Sequence, residues 1–163
     1  IVQQWTDVGK TSGALPDDMT PTATRQILQS RYPATRAGVA AALADFDRLA
    51  PAAVWPGNIP NTLRLAIEEL IINAVDHGGQ SPLDGWFVVR ISETPSMIEL
   101  TVEDAGAPFD PTRSREPDID ESIDERAIGG LGLHLVRSLA DEFSYQRVGD
   151  MNRAVLVFNS TPT

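Results

Sequence analysis

Helical and strand-forming patterns separate along this 163-residue chain, which predicts an α+β fold with a mixed or antiparallel sheet covered on one face by about three helices. Three observations carry this. Two helical stretches lie in the first half. Two strand runs, Trp86–Glu93 and Met97–Glu103, are bridged by Thr94-Pro95-Ser96, short enough for a hairpin. A third helix then precedes two more strands.

The elements follow in order. Residues 1–24 hold scattered Gly and Pro among small polar residues and read as a flexible tail or linker, with residues 25–163 as the folded domain. Arg25–Tyr32 can form a strand. Pro33 is then expected to open a helix over Ala34–Ala50, where Val39, Leu43, Phe46 and Leu49 recur at helical spacing. Asn61 is the expected N-cap of a second helix that ends at Gly78-Gly79. Ala105–Ile128 reads as a loop rich in Pro, Gly and acids. A third helix is expected over Leu131–Phe143, then strands Ser144–Gly149 and Ala154–Asn159 about a turn near Gly149-Asp150. No internal repeat is seen.

Composition narrows the function classes. The chain is 42% hydrophobic and 22% charged, ordinary for a globular domain. Its formal charge of −10 repels phosphate backbones, against a direct nucleic-acid role. No basic helix suits a membrane surface, and no apolar run approaches the ~18 residues of a span. Without cysteine there are no disulfides, thiolate metal sites or thiol chemistry. Nothing near Ile1 resembles a signal peptide, so the cytoplasm is the expected compartment. Ile1 in place of Met suggests a piece of something longer.

The second helix carries the chemistry. At ~100° per residue, Leu63, Ile67, Leu70, Ile71 and Ala74 share its core face. Glu69, Asn73 and His77 form a second stripe beside it, one turn apart, while Glu68 points roughly the opposite way. A carboxylate, an amide and an imidazole at the edge of a buried face exceed what a solvated surface requires. Taken singly, Asn73 also reads as a satisfied polar residue, and His77 as a cation at a helix C-terminus.

Two glycine loops add to this stripe. The strand ending at Glu103 runs into Asp104-Ala105-Gly106-Ala107-Pro108-Phe109-Asp110-Pro111, which can present a carboxylate while the backbone passes close to a ligand; a plain β-turn is the alternative. Gly129-Gly130-Leu131-Gly132 leads into a helix, so free N–H groups and the positive dipole end suit a phosphate. A flexible hinge is the alternative there.

In order and spacing, these motifs resemble the GHKL (Bergerat) ATP-binding fold, a two-layer α/β sandwich, over about Pro33–Phe158. Within that superfamily the chain is most similar to bacterial anti-sigma factor serine/threonine kinases, through I-E-E-L-I-I-N-A-V-D-H-G, D-A-G-A-P-F-D-P and G-G-L-G-L-H-L-V-R-S-L-A-D-E-F. The resemblance implies Mg²⁺ and ATP as cofactors. Asn73 would ligate Mg²⁺, Glu69 would activate the attacking hydroxyl, and Asp104 would accept the adenine amino group. Gly106 would let the base approach the backbone, and Gly130 and Gly132 would hold phosphates. His77, Pro108, Phe109, Leu131 and Leu133 would belong to the ATP site. Pro111–Ile128 would be a lid, with Arg113 and Arg126 as its candidates to reach phosphate.

The resemblance also implies protein partners: a sigma factor and a STAS-type anti-sigma antagonist whose serine or threonine is phosphorylated. Arg36 is a candidate partner contact, and a homodimer is the implied assembly. The implied roles suit the chemistry, since phosphoryl transfer depends on positioning and charge neutralisation. Mg²⁺ prefers oxygen ligands and retains waters, so one Asn plus phosphates suffices.

One departure stands out. Glu103–Arg126 holds nine acids and three arginines, −6 beside a triphosphate. Either these acids face solvent, or ATP is held weakly, or the lid stays open until a partner docks. Two other readings remain. A sensor histidine kinase module would need a phospho-acceptor histidine upstream, and the chain has only His77 and His134. A nucleotide-sensing binding switch without kinase activity is the other, against which Glu69 and Asn73 argue.

Overall fold

The computed structural model describes residues 23–77, 85–113 and 131–160. The expected tail (1–22 of its 24 residues) and most of the expected lid lie outside them. The chain runs β1 (Arg25–Pro33), α1 (Arg36–Leu49), α2 (Ile59–His77), β2 (Trp86–Glu93), β3 (Met97–Asp104), α3 (Leu131–Leu139), β4 (Glu142–Val148) and β5 (Met151–Asn159). Short 3₁₀ turns lie at Ala50–Ala52 and Pro111–Arg113. All strand pairs are antiparallel, in the order β1-β2-β3-β5-β4.

Alternation decides the layers. On β3, Ile98, Leu100 and Val102 point inward and are at most 3% exposed. Phe87, Val89 and Ile91 do the same on β2, and Leu156 and Phe158 on β5. The helices cover this face, with α2 touching both α1 and α3. The expected stripe of α2 is the buried one: Leu63, Ile67, Leu70, Ile71 and Ala74 are all at most 6% exposed. Burying each such aliphatic side chain contributes roughly 1.5–3 kcal/mol, more than helix propensity supplies, so packing fixes this helix in place.

Several boundaries differ from the expectation. Pro33 closes β1, opposite Trp86, and opens no helix. A strand at the sheet edge tolerates a missing N–H. Thr35 caps α1 instead, its hydroxyl accepting from Gly38 N at 3.1 Å. Asn61 is not the cap of α2. It lies inside the first turn and its amide donates to Asn58 Oδ1 at 2.7 Å, while the Asn58 carbonyl accepts from Thr62 N at 3.0 Å.

Helix α3 stops at Leu139, four residues short of Phe143. Asp141 N donates to Val157 O at 2.9 Å and its carboxylate accepts from Asn159 N at 2.7 Å, which draws the chain into the sheet. Phe143 therefore sits in β4, opposite Leu156. Strand β5 begins three residues earlier than expected, at Met151, after a turn in which Gly149 takes φ +59°. That extension brings Asn152 opposite Asp104.

Candidate nucleotide site

The C-terminal end of β3 and the inner face of α2 border a cleft open to solvent. Asn73 and Ala74 of α2 line it, with Asp104, Phe109 and Pro111 after the turn of the chain, and Tyr145, Asn152 and Ala154 from β4 and β5. Its floor is apolar and a few polar groups converge on it, the usual composition of a small-ligand site.

Asp104 is 9% exposed. Its Oδ1 accepts from Gly106 N at 2.8 Å and from Asn152 Nδ2 at 2.9 Å. Among the described residues, both of these donors go to Oδ1, which leaves the second oxygen as an acceptor. Asn152 is the hub behind it. Its Nδ2 also donates to Ala107 O at 2.9 Å. Its Oδ1 accepts from the Tyr145 hydroxyl at 2.8 Å and from Arg147 Nη1 at 2.9 Å. Arg147 also donates to Gly106 O at 2.8 Å, so the D-A-G turn is clamped on both sides. Asn152 thus satisfies its amide within the protein and orients the carboxylate of Asp104.

Sequence reasoning missed Asn152, Tyr145 and Arg147. A signal was present: Asn152 holds an inward position in register with Ala154, Leu156 and Phe158, and a buried amide among apolar neighbours demands partners. Starting the last strand at Ala154 hid it.

On α2, Asn73 Nδ2 donates to Glu69 O at 2.7 Å, one turn back. That bond fixes the amide and turns Oδ1 away from the helix backbone, an arrangement that fits an oxygen ligand for Mg²⁺. Among the described residues no cluster of three His, Asp or Glu could hold a metal unaided. Glu69 is half-buried. Burial pushes its carboxyl above the ordinary glutamate range, and the charge of Glu68 adds to this. Glu68 faces away as expected, paired with Arg64 at 3.4 Å.

The other expected residues divide. Gly106 is buried with its N–H on Asp104. Phe109 borders the cleft and Pro108 is exposed. Leu133, 2% exposed, lies in the core, its apolar side chain on the same buried side of α3 as Val136, three residues on. Gly132 lies in the first turn of α3, against Glu69. Arg113 is exposed and paired with Asp110 at 3.3 Å. Arg137 ties α3 to this segment by donating to the carbonyls of Pro111 and Thr112. Arg36 makes a two-toothed pair with Asp76 at 2.7 and 2.9 Å, linking the start of α1 to the end of α2. Gly130 and Arg126, and the side chains of His77 and Leu131, lie outside the described residues.

An antiparallel sheet backed by helices, with Asn73 of the central helix and Asp104 of β3 lining one cleft and Glu69 one turn before Asn73, outside that lining, defines a nucleotide-binding domain of the GHKL type. Residues 30–158 match the family model described as histidine kinase-like ATPase domain, and the chain belongs to that family. It is 31% identical over 108 residues to the serine/threonine-protein kinase BtrW of Bordetella bronchiseptica, covering 66% of this chain and 76% of that protein. It is 32% identical over 103 residues to the serine-protein kinase RsbW of Bacillus pumilus, covering 59% of this chain and 63% of that one. Among solved structures, the RsbU and RsbW domains of Rv1364c from Mycobacterium tuberculosis share the fold. The TM-score is 0.57 at 17% identity, over 87% of this chain and 34% of that chain.

Proposed function

We propose that this chain is a Mg·ATP-dependent serine/threonine protein kinase that acts as an anti-sigma factor, phosphorylating a STAS-type antagonist and binding a sigma factor. Kinship with BtrW and RsbW, both named as serine kinases, supports the reaction class. The observation that carries the reading is that Asn73 and the pinned carboxylate of Asp104 line one cleft, with Glu69 one turn before Asn73 on α2.

Each residue has a distinct task. Asp104, held by Gly106 and Asn152, presents its second oxygen to an exocyclic amino group of the base. Asn73 offers Oδ1 to the cation, with its Nδ2 anchored on the helix. Glu69 accepts the proton of the attacking hydroxyl, and burial raises its affinity for protons above that of an ordinary glutamate. ATP supplies the transferred phosphoryl group, and Mg²⁺ neutralises charge on the phosphates.

Among the described residues no helix is long and apolar enough to cross a membrane. We further infer a cytoplasmic, homodimeric kinase, with Arg36 at the rim of the partner surface. The direct test is phosphate transfer from labelled ATP to a STAS-type antagonist. Glu69→Gln is expected to slow transfer by about 10²–10⁴-fold while retaining ATP binding. Transfer at the wild-type rate in that variant would remove Glu69 from the mechanism.

A further inference from the structure

We propose that Gly132 is a positioning residue for Glu69: the side chain it lacks is the space that seats the Glu69 carboxyl group against the first turn of α3. The inference rests on the reading of Glu69 as the base, and gives Gly132 a task distinct from holding phosphate.

The first argument is what surrounds Gly132. A Cβ built there would fall inside the van der Waals envelope of Glu69, and its three nearest atoms would be Cδ, Oε1 and Cγ of that one side chain. Gly38 makes the contrast. A Cβ there would meet the backbone of Pro33, so that glycine serves the approach of α1 to β1. At Gly132 the close approach is to a single functional side chain.

The second argument excludes the usual reason for a glycine. Among the described glycines, those with positive φ are Gly57 and Gly149. Gly132 has a backbone that any residue adopts, inside the nine-residue helix α3. Alanine is the better helix former there. Glycine at this position is therefore explained by space, and the space is filled by Glu69.

The third argument concerns what an added methyl group would do. Glu69 is half-buried and its carboxyl end is the mobile part of the side chain, so a methyl group at residue 132 displaces that end more readily than it separates α2 from α3. The consequence falls on where the carboxylate points. A base must lie within hydrogen-bond reach of the proton it takes, and a displacement of about 1 Å suffices to slow a reaction by ~10²-fold.

The test is a double-mutant cycle on the full chain with Mg·ATP alone, water standing in for the protein hydroxyl. Turnover and KM for ATP are measured for wild type, Gly132→Ala, Glu69→Gln and the double variant. The expected result is at least a tenfold loss of turnover for Gly132→Ala with KM within about threefold, and no further loss when Gly132→Ala is added to Glu69→Gln. Glu69→Asp, one methylene shorter, should recover part of the loss when combined with Gly132→Ala. Equal losses in both backgrounds, or a tenfold rise in KM from Gly132→Ala, would overturn the assignment and return Gly132 to phosphate binding.

Denaturation midpoints supply a readout independent of catalysis. Gly132→Ala should lower the midpoint more with Glu69 present than in Glu69→Ala; equal shifts in both overturn the packing claim. If Gly132→Ala does not fold, recovery in the Glu69→Ala background supports the proposal and its absence overturns it. A wild type without ATP turnover would sink the kinase reading while leaving this second cycle to decide the packing.

Discussion

Glu103 and Asp104 are neighbours on β3, both buried, yet the sheet turns them to opposite faces and into opposite circumstances. Glu103 points to the face away from the helices and is 2% exposed between Arg90 and Arg153, at 2.5 and 2.6 Å. Burial alone would raise its carboxyl, but the hydrogen bonds and charges of the two arginines outweigh that and hold it below the ordinary glutamate range. Asp104 points into the cleft, where the described contacts to its carboxylate are a backbone N–H and the Asn152 amide. One carboxylate has its charge matched within the fold. The other is oriented by neutral donors within the lining of the cleft. The difference separates an acid matched by charge from one held only by neutral donors, the one proposed to bind the base, at adjacent positions.

Glu103→Ala should break the stabilising half most severely. Removing one partner of a fully buried ion pair costs ~3–5 kcal/mol, and because both arginine side chains keep about a third of their exposure, the expected loss here is about 2–3 kcal/mol by denaturation. Nucleotide affinity should stay within about threefold, since Glu103 faces away from the cleft. The pH dependence follows from the sign of the shift. A depressed native carboxyl contributes stability that is present above its unfolded value and disappears as pH falls through its native one. Wild type should therefore lose more stability than Glu103→Gln on acidification below the ordinary glutamate range. Parallel curves would contradict the pairing.

Asn152→Ala tests the other half. It strips one donor from Asp104 and leaves the Ala107 carbonyl, the Tyr145 hydroxyl and Arg147 short of a partner. Stability should fall by about 1–3 kcal/mol, and Mg·ATP should bind roughly tenfold more weakly because the Asp104 carboxylate is no longer fixed. Calorimetry beside denaturation separates the effects. Lost stability with unchanged affinity would mean that Asn152 holds the turn but not the site. The smallest effect is expected at Arg36→Ala, which removes an exposed pair with Asp76 and should cost under ~1 kcal/mol. A larger loss in binding to a protein partner than in stability would place Arg36 on the partner surface.

Much of this was legible in the sequence, for identifiable reasons. The core stripe of α2 and the hairpin of β2 and β3 rest on strong periodicity, which tertiary packing reinforces. Caps and ends were harder. Asn58 and Asn61 are both good cap residues, and the fold settles between them by seating Ile59 and Thr62. The end of α3 depends on bonds to Val157 and Asn159, residues far along the chain, so nothing local to Leu139 announces it. The site divides similarly. Glu69, Asn73 and Asp104 lie in local motifs, whereas Asn152 gains its meaning from strand register, and Leu133 is drawn into the core by the face that α3 presents.

The measurement that bears most directly on the central claim is Mg·ATP binding by calorimetry, wild type beside Asn73→Ala and Asp104→Ala. The expected result is Mg²⁺-dependent binding by wild type and its loss in both variants, by at least about tenfold each, since a hydrogen bond to a charged group is worth ~1.5–3 kcal/mol. Failure of the wild type to bind, or binding that survives both substitutions unchanged, would contradict the nucleotide site built on Asn73 and Asp104.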